Sequence, residues 1–430
     1  MKMSSSLPQD QVFWYLNERN IQRLDRDIVT DVVVVGGGMA GLSAAQSFHK
    51  KGLKVALLEK NYCGSGASGK SSGFITPDSE LPLRSLIDSY GAIEAKKIWE
   101  LITSGVTLIK NNITEYNLDC DYQVQDTLVV ANTQRAFVSA LTAEHNARQQ
   151  LQYASTLYTQ DQLHTVIGSH GYMGAVTYAD TFSIQGYRYC YGMKQVLQKN
   201  GVHIYEETPT IDIQDHIVKT PYATVRAEHI IVCTDHFTAS LETFKNLIYH
   251  AQTFLTLSAP LSPEQIKKIF PERHFLVWDT DMVYHYYRLT SDNRLLLGGA
   301  SLLYTYAQHE KHNNAYVMRK LSRYFNEKFA SVDITFEYIW PGLIGISKDL
   351  FPVAGRDATM ASVYYIAAAA GLPWATALGM YSAENIINNN NSFDHLLSPY
   401  RSFTLGPITQ NILGTRLTFA LSNFLTVGSL

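Results

Sequence analysis

Along this chain the apolar pattern changes period abruptly near the N-terminus. Residues 31–45 read DVVVVGGGMAGLSAA. Four consecutive valines, with no polar alternation, predict a strand buried on both faces. The Ala-, Leu- and Gln-rich stretch at 42–48 predicts a helix. A second apolar run, 54–58, predicts another strand, and it ends at Glu59. Residues 275–289, FLVWDTDMVYHYYRL, predict aromatic strand structure in which residues of like parity share a face. Tyr284, Tyr286 and Arg288 then lie on one side, His285 and Tyr287 on the other. The asparagine run at 388–391 reads as a loop after a helix. Near the C-terminus, Leu413, Leu417, Ala420, Phe424 and Val427 recur at helical spacing.

The unit from Asp31 to Glu59 is strand, glycine turn, helix, strand, acid. Gly36, Gly38 and Gly41 give G-x-G-x-x-G. Gly36 permits the tight turn, Gly38 lets a pyrophosphate approach the backbone, and Gly41 lets helix and strand pack closely. The helix N-terminus at Met39 and Ala40 offers amides and a positive dipole end to phosphates. Glu59 stands 18 residues beyond Gly41, where a carboxylate can accept ribose hydroxyls. This is a dinucleotide site.

Residues 64–74, GSGASGKSSGF, also fit G-x-x-x-x-G-K-[ST]. A triphosphate loop must leave a strand directly and open a helix. Here residues 60–63 intervene after the strand, and Gly73, Pro77 and Pro82 oppose a continuous helix. The better account is a small-residue segment wrapping a large flat ligand, its amides reaching the ligand without side-chain interference.

GGGMAGLSAA, LLEK and GSGASGKSSGF together resemble the FAD-dependent amine and amino-acid oxidases of the D-amino-acid oxidase, glycine oxidase and sarcosine oxidase superfamily. The leader VFWYLNERN is similar to that of the γ-glutamylputrescine oxidase branch. CDYQVQDTLVVAN resembles a strand pair of the family's substrate domain, and YYRLTSDNRLLLGGAS a hairpin turning at residues 291–293. HIIVCT resembles a returning strand that usually ends Thr-Gly, with Asp235 here in place of the glycine. YIWPGLIGISKDLFPVAGR carries the Trp-x-Gly signature, including Trp340, Gly342 and Asp349. AAAAGLPWATALGM keeps the family's Gly371, but Leu372, Pro373 and Trp374 replace Gly-His-Gly.

The resemblance implies an α/β fold, a Rossmann-like FAD-binding domain interleaved with an antiparallel-sheet substrate domain. The expected FAD domain is 26–85, 150–240 and 340–400. The expected substrate domain is 86–149 and 241–339, after a leader at 1–25 and before an apolar tail at 401–430. FAD, held non-covalently, is expected to contact Gly36, Gly38, Met39, Ala40, Gly41, Glu59 and Lys60, then Gly66, Ala67, Ser68, Lys70, Ser71, Ser72 and Gly73. Thr210, Thr234, Gly342, Gly371, Leu372, Pro373 and Trp374 complete the set. The implied reaction oxidises a small amine or amino acid to an imine by hydride transfer to flavin N5, with oxygen or a quinone as acceptor. An FAD monooxygenase and a non-catalytic flavoprotein are the alternatives.

Tyr286, Arg288, Trp374 and Lys70 are the catalytic candidates. Arg288 beside tyrosines suits a carboxylate clamp, although an exposed sheet face with ordinary aromatic pairs has the same pattern. Phe74 and Trp374 could wall the flavin face or simply pack in the core. His285 reads as a hydrogen-bonded structural group rather than a base. Trp340 and Asp349 read as structural. With 430 residues and a formal charge of −3, two or three domains are expected and nucleic acid is not. Four scattered cysteines suggest neither a metal site nor disulfides. The start has no apolar core of signal-peptide length, so a cytoplasmic setting is expected. The tail, with Arg416 alone charged between 402 and 430, is expected to dock on protein, pair subunits or meet a membrane surface.

Overall fold

The computed structural model describes residues 9–16, 20–78, 81–179, 181–235, 244, 247–281, 284–305, 310, 312–403, 405, 407–413, 417–418 and 421. The four-valine run lies inside the strand Ile28–Val35, which occupies the middle of an eight-stranded sheet. Its parallel neighbours are Val55–Leu58 and Thr224–Val232, with His203–Tyr205 and Val363–Ala367 added in parallel outside them. Val32 and Val34 enter one core, and Val33 and Val35 enter another on the opposite face. An alternating pattern would have left one face wet; burying all four is worth very roughly 1.5–3 kcal/mol per side chain.

One face of this sheet carries the helices Met39–Lys50, Gly186–Lys199, Leu372–Asn388 and Leu83–Tyr116. Leu83–Tyr116 turns at Gly91, where φ is +77°. Small residues set how closely these helices approach. A Cβ on Gly379 would meet the Ala40 carbonyl oxygen at 2.4 Å, and one on Gly105 would meet that of Pro373 at 2.1 Å. Ser43 Oγ donates to the Thr376 carbonyl at 2.7 Å and ties the two helices together.

The second sheet has nine strands, in the order Gln9–Asp10, Phe336–Ser347, Ile248–Pro260, Arg294–Thr305, Tyr286–Leu289, Phe275–Asp279, Asp126–Ala131, Gly174–Tyr178 and Thr156–Thr159. Its long central members are antiparallel. The helix Asn314–Lys328 covers one face, burying Val317, Leu321 and Phe325 against Phe254, Tyr287 and Leu297. The hairpin turns between Thr290 and Arg294, with Asn293 at φ +61°. The expected strand pair at 120–132 divides between sheets. Gln123–Val124 pairs with Phe182–Ser183, whereas Asp126–Ala131 joins the nine-stranded sheet. Thr156–Thr159 and Gly174–Tyr178, placed by the sequence reading in the cofactor domain, are also strands of that larger sheet. The long helix at 83–116, placed in the substrate domain, packs in the core beneath the glycine helix. The fold is otherwise the expected one, a Rossmann-like parallel sheet interleaved with an antiparallel one.

In the tail, Leu413 and Leu417 are partly exposed, while Ala420, Phe424 and Val427 lie outside the described residues. Among the described residues no helix is long and apolar enough to cross a membrane.

Replacing Gly379 by valine forces a side chain into the Ala40 carbonyl. The expected outcome is a loss of about 1–3 kcal/mol, read as a melting temperature several degrees lower.

Candidate active site

The carboxyl ends of the parallel strands open onto a cavity of about 1120 Å³, the position where open α/β sheets bind ligands. Gly36 follows the first strand at φ +109°, and a Cβ there would meet the Cys233 carbonyl oxygen at 2.4 Å. Glu59 ends the second strand. Its Oε2 accepts from the Gly37 amide at 2.8 Å and its Oε1 from the Asn61 amide at 2.9 Å. Burial raises its pKa, against those two amides. Each oxygen retains a lone pair for a ribose hydroxyl. Lys60 lines the cavity beside it, and burial lowers its pKa against the pull of Glu59.

The small-residue loop docks on this turn. Ser68 Oγ accepts from the Met39 amide at 3.0 Å. Ala67–Lys70 is a single helical turn, and Ser71 is already extended. No triphosphate-type helix follows Lys70, and its ammonium is instead bound by Glu310 at 2.6 and 2.7 Å. The loop's carbonyls are held from outside. Tyr15 hydroxyl donates to the Ser65 carbonyl (2.9 Å), Trp14 Nε1 to Gly69 (2.6 Å), Trp340 Nε1 to Lys70 (3.0 Å) and Arg288 Nε to Ser72 (2.7 Å). Gly73 has φ +75°, and a Cβ there would meet the Ile184 carbonyl oxygen at 1.7 Å, so only glycine suits this bend.

Two long helices point their N-termini into the same cavity, Met39–Lys50 behind Gly38 and Leu372–Asn388 behind Gly371. Both positive dipole ends favour electron-rich groups of a bound ligand. Gly371 has φ +102°, and Pro373 sits in the first turn, where its missing N–H costs nothing. Asp235 takes the place of the usual glycine by adopting φ +47°, and its Oδ2 accepts from the Gly345 amide at 3.0 Å. Thr210, Thr234 and Gly342 also line the cavity, and Thr210 Oγ1 is buried without a hydrogen-bond partner among the described residues.

The cavity continues onto the nine-stranded sheet, where Tyr284, Tyr286 and Trp278 line it. Phe74 stacks on Trp278 at 5.9 Å and meets Tyr286 edge-on at 6.0 Å. The Tyr286 and Thr253 hydroxyls are 3.1 Å apart. A Cβ on Gly298 would lie 2.2 Å from the Tyr286 ring, so the glycine makes room for it.

Of the expected cofactor residues, Gly36, Gly38, Met39, Ala40, Glu59, Lys60, Gly66, Ala67, Ser68, Lys70, Ser71, Ser72, Gly73, Thr210, Thr234, Gly342, Gly371, Leu372 and Pro373 line the cavity together. Gly41 and Trp374 do not, and neither does the catalytic candidate Arg288. Gly41 packs against the Gly36 carbonyl, where a Cβ would fall at 1.9 Å. Trp374 is buried edge-on to Phe351. Arg288 is completely buried behind the loop, donating to the carbonyls of Ser72, Ile184 and Leu289. The carboxylate clamp is therefore replaced by a backbone brace. Parity was right for Tyr284 and Tyr286, but the loop passes over the end of their row. His285 stacks on Tyr324 at 3.8 Å on the opposite face. Asp349 binds Arg401 at 2.8 Å through both oxygens. Trp278 and Glu310 were missed by sequence reasoning. Trp278 had a signal, an aromatic residue of the same parity as Tyr286 in the same run. Glu310 had none.

These features fit FAD: an acid at the ribose position, two helix N-termini, a braced small-residue loop and an aromatic chamber beyond. Comparison with known proteins agrees. Residues 31–385 match the family model "FAD dependent oxidoreductase" (DAO). The chain belongs to the DAO family of FAD-dependent oxidoreductases. It is 26% identical over 352 residues to gamma-glutamylputrescine oxidoreductase of Escherichia coli, covering 80% of each chain. It is 28% identical over 339 residues to the probable oxidoreductase OrdL of Haemophilus influenzae, covering 76% of this chain and 75% of that one. Among solved structures, glycine oxidase from Geobacillus kaustophilus superposes with a TM-score of 0.74 at 18% identity, over 88% of this chain and all of the other. As a DAO-family enzyme, this protein uses FAD as its cofactor.

Replacing Glu59 by alanine removes the ribose acceptor and leaves the Gly37 and Asn61 amides unpaired. Titration of the apoprotein with FAD is expected to show affinity at least about tenfold weaker, from the loss of charge-assisted hydrogen bonds.

Proposed function

We propose that this oxidoreductase oxidises the C–N bond of a small amine or amino acid to an imine. One observation carries the reading: the FAD cradle and the aromatic chamber of Phe74, Trp278, Tyr284 and Tyr286 form a single continuous cavity. We read the eight-stranded sheet with its helices as the FAD domain and the nine-stranded sheet as the substrate domain. In this reading Glu59 holds the ribose, the glycine turn and Ser68 the pyrophosphate, and the 70–73 loop with the 371–373 helix start the ring. FAD, when bound, supplies a two-electron acceptor for the substrate's hydride, which oxygen or a quinone then reoxidises. The protein's own task is to orient the amine, keep it neutral and exclude water. Apolar aromatic walls disfavour an ammonium and so favour the neutral amine that can lose hydride. The Tyr286 hydroxyl, steadied by Thr253, is a donor or acceptor for the amine nitrogen. Lys70, fixed by Glu310, sets the charge at the loop end of the chamber.

Non-covalent attachment is supported by the lining. Its cysteine, Cys233, stands beside Gly36 rather than near Gly371, and no histidine lines the cavity among the described residues. Four buried free cysteines suit a reducing cytoplasm.

Anaerobic mixing of the holoprotein with primary amines, N-methyl amines and amino acids is expected to bleach the flavin band with at least one class. NADPH is expected to leave the band intact. Bleaching by NADPH alone, or silence across the amine panel, would abandon the reading. Tyr286→Phe is expected to keep FAD and slow bleaching about tenfold.

A further inference from the structure

The cavity extends well past the flavin cradle along the nine-stranded sheet. Tyr286, Trp278, Val129 and Val176 stand in register across four neighbouring strands, and all four line it. Three strand spacings, about 14 Å, separate the first from the last. Thr76 and Asp78, which follow the strand Phe74–Ile75, and Ser85, in the first turn of the helix Leu83–Tyr116, also line the cavity. These three residues are 4%, 6% and 5% exposed. The Asp78 carboxylate has the Tyr178 hydroxyl beside it besides Arg148, and Thr76 Oγ1 and Ser85 Oγ are buried with no hydrogen-bond partner among the described residues. Buried polar atoms are rarely left so.

The charge balance at this corner is uneven. Asp78 Oδ1 and Glu144 Oε1 both accept from Arg148 at 2.8 Å, and the guanidinium lies over the Tyr178 ring at 3.5 Å. One buried cation thus serves two buried carboxylates. Burial pushes the Asp78 carboxyl up to about 6, with Arg148 opposing and Glu144 adding to the rise. Two other cations line the cavity. Arg84 donates to the Ser139 carbonyl at 2.7 Å and pairs with Asp88 at 3.2 Å, and Arg135 is exposed at the rim. The facing wall is a π-helical turn, Phe137–Thr142, a conformation frequent at functional sites.

We propose that Thr76, Asp78 and Ser85 form a second recognition subsite, which binds the far end of an elongated amine substrate carrying a terminal cationic hydrogen-bond donor. The proposal rests on the amine-oxidising reading above and narrows its substrate class. An ammonium brings three donors to acceptors on Thr76, Asp78 and Ser85, where Asp78 and Glu144 share the one buried guanidinium of Arg148. The apolar row of Trp278, Val129 and Val176 carries the chain between the two ends. A terminal carboxylate would instead meet Asp78 and offer the corner no donor.

The test uses the holoprotein without oxygen and a length series of α,ω-diamines, matched n-alkylamines and matched ω-amino carboxylates. Binding is followed by calorimetry and by perturbation of the flavin band, and bleaching is recorded separately. A diamine of fitting length is expected to bind about tenfold tighter than its monoamine, or more. That ratio is expected to fall towards one in Asp78→Asn and in the Thr76→Val/Ser85→Ala double variant. Equal affinity for diamine and monoamine, tighter binding of the ω-amino carboxylate, or an unchanged ratio in the variants overturns the subsite. Selective diamine binding with no amine oxidised leaves the subsite standing and overturns the reaction. Oxidation of monoamines without selectivity does the reverse. If Asp78→Asn does not retain flavin, the double variant decides, because its deleted hydroxyls have no protein partner to lose.

Discussion

The active-site geometry depends on where the carbonyls of one glycine- and serine-rich loop are sent. A segment with so few side chains cannot hold its own shape by packing, and its backbone has much freedom to lose. The structure fixes it from outside. Two indoles, a phenol and a guanidinium draw the carbonyls of Ser65, Gly69, Lys70 and Ser72 outward. Each hydrogen bond contributes about 1 kcal/mol net. Their combined effect is directional, since a peptide unit whose oxygen is held on one side presents its amide to the other. Arg288 is informative here. It was expected in the substrate chamber, and it is a residue on which the chamber's floor rests.

The rest of the site follows from two helices with nearly touching backbones. Gly379 allows the approach, Gly105 lets the helix Leu83–Tyr116 close in on Pro373, and the two N-termini converge on one cavity. Both positive ends face the cavity and favour electron-rich groups of a bound ligand. The loss of Gly-His-Gly at 372–374 leaves this intact, because a helix start works through backbone amides. Asp235 makes a similar point. A residue with a side chain occupies a left-handed position and uses its carboxylate to tie the strand end to Gly345.

Much of this was legible in the sequence. The valine run, the glycine spacing and Glu59 specify a local unit, since the turn, its helix, the strand at 55–58 and the Gly37–Glu59 hydrogen bond all lie within thirty residues of chain. The parity of the run separated Tyr284 and Tyr286 from the packed His285 and Tyr287, but it misplaced Arg288. What could not be read was long-range in chain and short in distance. Lys70 meets Glu310 across 240 residues, and Asp78 meets Arg148 across 70. That 156–159 and 174–178 join the nine-stranded sheet could not be read for the same reason, because a short strand's apolar pattern does not name its partner.

The brace on the loop also joins the two halves of the polypeptide's synthesis. Gln9–Asp10 lies parallel to Tyr338 and Ile339, and Trp14 packs edge-on to Trp340 at 5.0 Å. Residues made first thus wait for residues made some 325 positions later. On a ribosome adding about 5–20 residues per second, the glycine turn and its sheet partner at 55–58 emerge long before the indoles that steady the cradle meet. The outer brace of the loop therefore closes only in the last moments of folding, and a chain truncated ahead of Trp340 would carry the glycine turn without the indole that holds the Lys70 carbonyl.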